Sequence, residues 1–79
     1  MALTEDTLIR SIAEFAALDG DLDAETPLFS SGALDSVAML NLIVFVERET
    51  GSEIRAEDVT LENFDTAARI LDFARKLAA

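Results

Sequence analysis

The chain contains no cysteine and no histidine. The first absence excludes disulfides, thiolate metal sites and thiol redox motifs, and the two together argue against a structural zinc site; no metal site is expected. Lack of histidine also removes the base that ordinarily activates a serine hydroxyl, and the single lysine, Lys76, lies near the far end of the chain. Basic residues are scarce: 6 Lys and Arg stand against 16 Asp and Glu, for a formal charge of −10. Such a surface repels nucleic acid and anionic membranes, whose binding rests on cationic side chains. It favours basic protein partners, met quickly and in a salt-sensitive way, and keeps a small apolar protein soluble. Long apolar runs are missing as well. Leu40 to Val46, interrupted by Asn41, falls far short of the roughly 20 residues that cross a bilayer. The first residues carry no basic n-region or signal-type apolar core. A disulfide-free, non-membrane protein fits the cytoplasm.

What is present is 51% hydrophobic residues in 79 positions, enough for one small core and too few for two. We read residues 1–79 as a single domain. Thr4 is a suitable N-cap, with Glu5 and Asp6 in the first turn, and Leu8, Ile12 and Phe15 recur on one helical face, widened by Ile9, Ala13 and Ala16. Helix one is expected over about Glu5 to Leu18, with Arg10 and Glu14 on the solvated side. Asp19 to Leu34 is a long connection that needs anchors; Leu22, Leu28 and Phe29 supply them, Pro27 stiffens the middle, and Asp19, Asp21, Asp23 and Glu25 keep the outside wet. The alternating acids from Asp19 begin like a calcium loop, but position six is Ala24 and position twelve is Ser30, where glycine and glutamate are required.

Helix two is expected from Ser36 to Thr50, stopped by Gly51. Leu40, Ile43 and Val46, with Met39 beside them, form a stripe for the core. A second line of Val37, Asn41, Val44 and Arg48 turns elsewhere, as an exposed docking face would. Glu47 and Glu49 add charge toward the far end. Ala56 to Val59 can form a short helix or an irregular turn held by Ile54 and Val59. Asp65 or Thr66 caps the last helix, whose inner face reads Ala67, Ile70, Leu71, Ala74 and Leu77 with Phe73 beside them, ending in the favourably placed cations Arg75 and Lys76.

The most informative residue is Ser36, at the junction of loop and helix two. Gly32 permits a positive φ, Asp35 suits the N-cap, and Ser36 then occupies the first helical position, where open N–H groups and the helix dipole stabilise an attached anion. With no base around it, this serine is acted upon and does not itself catalyse. By local chemistry alone, an Asp-Ser pair more often merely caps a helix.

Leu34-Asp35-Ser36-Val37, preceded by Pro27-Leu28-Phe29 and Gly32 and followed by an apolar helix, resembles the acyl carrier and peptidyl carrier protein family, and the likeness runs from helix one to helix four. The resemblance implies an all-α, four-helix bundle with three main helices, one short helix and a long first loop. It implies that Ser36 carries a covalent 4'-phosphopantetheine arm installed by a phosphopantetheinyl transferase, with Asp35 positioning the serine and approaching the transferase's magnesium. It makes the chain a monomeric carrier and not an enzyme, served by an acyl or aminoacyl ligase and downstream acyltransferases that meet Val37, Asn41, Val44 and Arg48. Many fatty-acid carriers have Leu after the motif serine and acids in the first turns of helix two; Val37, Ala38 and Asn41 depart from that. The departure points to an aminoacyl cargo. A polyketide or specialised lipid cargo is the alternative, and an unmodified acidic helical adaptor is the alternative of another class. Met1 close to helix one and an end just beyond helix four suggest a free-standing carrier.

Overall fold

In the computed structural model, residues 3–16, 22–32 and 34–78 are described. The expectations for the side chains of Phe15 and Ala16, for Leu18 as the end of helix one, and for Asp19, Asp21 and Ala33 lie outside them. Three substantial helices, α1 (Glu5–Ala16), α2 (Ser36–Thr50) and α4 (Ala67–Ala78), are joined by a 3-10 turn at Ala56–Asp58 and a one-turn helix α3 (Leu61–Phe64). This is the all-α carrier-like bundle expected from the sequence.

Local chemistry sets the helix starts. The Thr4 hydroxyl accepts from Thr7 N at 3.2 Å, and the Thr4 carbonyl accepts from Leu8 N. Leu3 and Leu8 flank this cap at the positions of a hydrophobic staple, and both are buried. At the other end of α2, Gly51 adopts φ 69° and donates to the Glu47 carbonyl at 2.8 Å, the left-handed stop that glycine permits. Thr66 caps α4 by accepting from Arg69 N at 3.1 Å.

The core joins Leu8 and Ile12 of α1, Leu28 and Leu34 of the long loop, Ala38, Leu42 and Val46 of α2, and Phe64, Ala67, Ile70, Leu71 and Ala74 around α3 and α4. The α4 face is as the periodicity indicated, and Phe73 meets Phe64 with ring centroids 5.5 Å apart. The α2 face is not. Leu40 is 63% exposed, and the buried line is Ala38, Leu42 and Val46, flanked by Met39, Ile43 and Phe45. Apolar side chains surround almost the whole first part of α2, so periodicity alone could not choose its phase. The expected piece at Ala56 to Val59 is only a 3-10 turn, and the short α-helix lies one step later, with Thr60 Oγ1 accepting from Asn63 N at 3.3 Å.

Glu47 does more than add charge: its carboxylate accepts from Ile54 N at 2.8 Å and pins the segment that follows α2. No helix among the described residues is long and apolar enough to cross a membrane.

Candidate functional site

The loop before α2 is fixed from two sides. Leu28 is fully buried and Leu34 nearly so, while Leu22 and Phe29 pack against the core. Between them the chain turns tightly: Gly32 takes φ 81° and donates to the Phe29 carbonyl at 3.1 Å, and Leu34 N returns to the Leu28 carbonyl at 2.9 Å. The second tie is Asp65. Its carboxylate accepts from the backbone N–H groups of Phe29 and Ser30, each at 2.9 Å, and from the Ser30 hydroxyl at 2.7 Å, and its carbonyl accepts from Leu28 N at 2.7 Å. The Ser30 N–H and hydroxyl, followed by Phe29 N–H, hold this carboxyl below the ordinary carboxylate range against the opposing cost of burial. Asp65 therefore clamps the loop to the junction of α3 and α4. Of the two residues the sequence offers as the cap of α4, Asp65 or Thr66, Thr66 takes that role.

Farther out, Asp23 closes its own small turn, accepting from Glu25 N at 2.9 Å and from the Thr26 hydroxyl at 3.0 Å. Those bonds hold its carboxyl low, the Glu25 N–H contributing most. The Ala24 carbonyl accepts from Ala68 N at 3.0 Å, a further tie between the loop and the start of α4.

On this rigid base stands Asp35, with extended backbone (φ −102°, ψ −175°). Its side chain accepts from Ala38 N at 2.9 Å and its carbonyl from Met39 N at 3.0 Å. These bonds set the start of α2. Ser36 is its first residue and is exposed, and its hydroxyl makes no hydrogen bond among the described residues. The first turn of α2 leaves the N–H groups of Ser36 and Val37 without intrahelical acceptors and carries no acid. An anion bound to the Ser36 hydroxyl would thus sit beside open donors and a positive helix end.

Downstream, the line Val37, Asn41, Val44 and Arg48 faces outward, Val37 and Val44 being 64% and 51% exposed. Leu40 lies next to this line and extends the uncharged surface. Asn41, Val44 and Arg48 also form one wall of an open groove of about 390 Å³, completed by Phe45 and, across from α2, by Ser11 and Glu14 of α1. Glu14 is exposed, as its place on the solvated side of α1 indicates. That it borders the same groove as Arg48 depends on how α1 packs on α2, which no local spacing reveals.

Residues 6–74 match the family model described as phosphopantetheine attachment site. The chain is 32% identical over 80 residues to a protein described as "Probable acyl carrier protein PigG" from Serratia sp. (strain ATCC 39006), a match spanning 98% of this chain and 91% of that one. A solved chain described as "Crystal structure of FAD-dependent dehydrogenase" superposes with a TM-score of 0.78 at 28% identity, over 87% of this chain and 100% of that chain.

Proposed function

This chain belongs to the phosphopantetheine attachment-site family of acyl carrier proteins, and we propose that Ser36 is the residue to which its arm is attached. The protein is a carrier and not a catalyst, its cofactor is covalent 4'-phosphopantetheine, and its partners include a phosphopantetheinyl transferase and acyl-handling enzymes. Membership sets the unmodified adaptor aside. When bound, the arm supplies a flexible tether and a terminal thiol that holds cargo as a thioester, keeping it at high local concentration for successive enzymes.

The observation that carries the assignment is the exposed hydroxyl of Ser36 at the first position of α2, inside the matched span. The residues present fit the group. In attachment, the Ser36 oxygen forms a bond to the β-phosphorus of coenzyme A, the phosphoanhydride breaks, adenosine bisphosphate leaves, and the hydroxyl proton passes to a base of the transferase. Asp35 commits one carboxylate oxygen to Ala38 N. The other, with no partner among the described residues, would approach the transferase's magnesium. Val37, Asn41, Val44 and Arg48 form the docking face.

An aminoacyl cargo is the finer reading, supported by Val37, Ala38 and Asn41 and by the acid-free first turn of α2. The neighbour described as an FAD-dependent dehydrogenase supports a flavin enzyme among those acting on the cargo. A thioester acidifies the adjacent C–H, which favours the proton loss that accompanies hydride transfer to a flavin.

Intact-protein mass before and after incubation with coenzyme A, magnesium and a broad-specificity phosphopantetheinyl transferase tests the assignment. Wild type gains one phosphopantetheine and Ser36→Ala none; an equal gain in the variant would move the arm to another residue. Because Val37 is 64% exposed, Val37→Asp leaves the circular-dichroism melt within a few degrees of wild type and slows attachment or loading severalfold. Unchanged kinetics would remove Val37 from the docking face.

A further inference from the structure

We infer that Asp65 is a positioning residue for attachment of the arm, acting on Ser36 through the loop before α2; the inference rests on the assignment of Ser36 above. The first turn of α2 holds itself poorly. Ser36 and Val37 are exposed, Val37 by 64%, and the next residue, the buried Ala38, offers the core a single methyl group. A helix end with so little buried surface frays unless the chain ahead of it is held. Ahead of it is Leu34, two residues before Ser36 and only 5% exposed.

The hold on Leu34 leads back to Asp65. Leu34 N donates to the Leu28 carbonyl at 2.9 Å, and Leu28 N donates to the Asp65 carbonyl at 2.7 Å. The Asp65 carboxylate then takes the next two N–H groups, of Phe29 and Ser30, on one oxygen and the Ser30 hydroxyl on the other. Three consecutive loop residues are thus fixed in direction as well as depth. Between described residues, the loop's other hydrogen bond to the rest of the fold runs from Ala68 N to the Ala24 carbonyl, so both ties end at the start of α4. Ser36 takes its position from α4, whereas the docking face lies on α2.

That division has a kinetic consequence. A transferase docked on α2 must find the Ser36 oxygen in line with the β-phosphorus of coenzyme A, and an error of about 1 Å in such an alignment costs on the order of a hundredfold. Loss of the Asp65 carboxylate leaves the docking residues in place and loosens the turn that carries Ser36. It lowers the rate of the bound complex and spares binding. A merely structural role has the opposite signature, because the protein that folds is here the substrate: partial unfolding dilutes it and weakens apparent binding, while every carrier that binds reacts at the full rate.

Single-turnover attachment, with a broad-specificity phosphopantetheinyl transferase in excess over carrier, separates the maximal rate from the transferase concentration at half that rate. Asp65→Ala should lower the maximal rate about tenfold and leave the half-saturating concentration within about twofold of wild type. Asp65→Asn should recover most of the rate, since its carbonyl oxygen can accept from the Phe29 and Ser30 N–H groups and its amide can donate to the Ser30 hydroxyl. Ser30→Ala removes one bond of the clamp and should lower the maximal rate by a smaller factor; it decides the matter if Asp65→Ala does not fold. Ile70→Val, in the buried face of α4, controls for lost stability alone and should leave the maximal rate unchanged.

A wild-type maximal rate in Asp65→Ala, or in Ser30→Ala where the first variant does not fold, would overturn the inference. So would an equal fall in Ile70→Val, which would make the effect one of stability, or a loss that Asp65→Asn shares in full, which would make it one of charge and not position. Intact mass separates the inference from the assignment beneath it: an arm gained by Ser36→Ala would bring down both, whereas attachment confined to Ser36 at unchanged rates brings down the inference alone.

Discussion

Asp65 is the residue on which the position of Ser36 depends at a distance. Its carboxylate holds the Phe29 N–H, the Ser30 N–H and the Ser30 hydroxyl while being only 8% exposed. Removing it leaves three part-buried donors without their acceptor, so Asp65→Ala should cost about 1–2 kcal/mol of stability in urea unfolding at pH 7. Asp65→Asn, which keeps an acceptor but loses the charge, should cost less. The pH dependence has a definite sign. The folded carboxyl lies below the ordinary carboxylate range, so its contribution is fully present above that range and is lost as pH falls through the folded pKa. The gap between wild type and Asp65→Asn should therefore be widest near neutrality and close in acid; a gap that stays constant to pH 2 would deny the carboxylate this role. No sequence pattern disclosed this clamp, because its partners lie 35 and 36 residues away and an aspartate ahead of an apolar run reads as a cap. Asp35 was legible for the converse reason: its partner, Ala38, is three residues on.

At the scale of elements, α1 and α4 could be read from the sequence because each has one apolar face and one charged face. In α2 the residues from Val37 to Val46 are apolar except for Asn41, and spacing alone points to the stripe through Leu40 and passes over Leu42. The choice is made by tertiary contact. Ala38, small and buried, faces the core, and Leu42 and Val46 follow it one and two turns later. Paired truncations measure that choice. Leu42→Ala should lose about 2–5 kcal/mol, as full burial leaves a cavity, whereas Leu40→Ala should change stability by less than about 0.5 kcal/mol. Comparable losses would mean that α2 is rotated from the phase described. If partner enzymes use the exposed line, Leu40→Ala should instead slow loading, so one leucine would report on docking and the other on folding. Of the two forms the sequence allows at Ala56 to Val59, a short helix or an irregular turn, the structure has a turn; the short helix that follows, defined by Thr60 and the buried Phe64, has too little periodicity in its single turn to announce itself.

For the whole molecule, the decisive property is charge crowded into small dimensions. A net −10 is spread over a body with extents of 33 × 24 × 18 Å, so at about 0.01 M salt, with a Debye length of roughly 30 Å, the charges on opposite sides still repel. At about 1 M the length falls to roughly 3 Å and that repulsion is screened. Salt also weakens ion pairs, but the three among the described residues, Arg10 with Asp6, Arg55 with Glu57 and Lys76 with Asp72, are highly exposed and each contributes little. The clamp at Asp65 bonds to N–H and O–H groups inside the fold and is largely spared. Repulsion should thus win, and the melting temperature at pH 7 should rise as sodium chloride is raised over that range; a fall would show that the surface pairs outweigh it. Encounter with a basic partner depends on the same field in the opposite direction. The second-order rate of arm attachment should decline over the same titration, after correction for the transferase's own salt response with a neutral carrier. Folding and docking would then respond oppositely to one variable, because the acids that repel one another in the isolated carrier are the ones that would attract a basic partner.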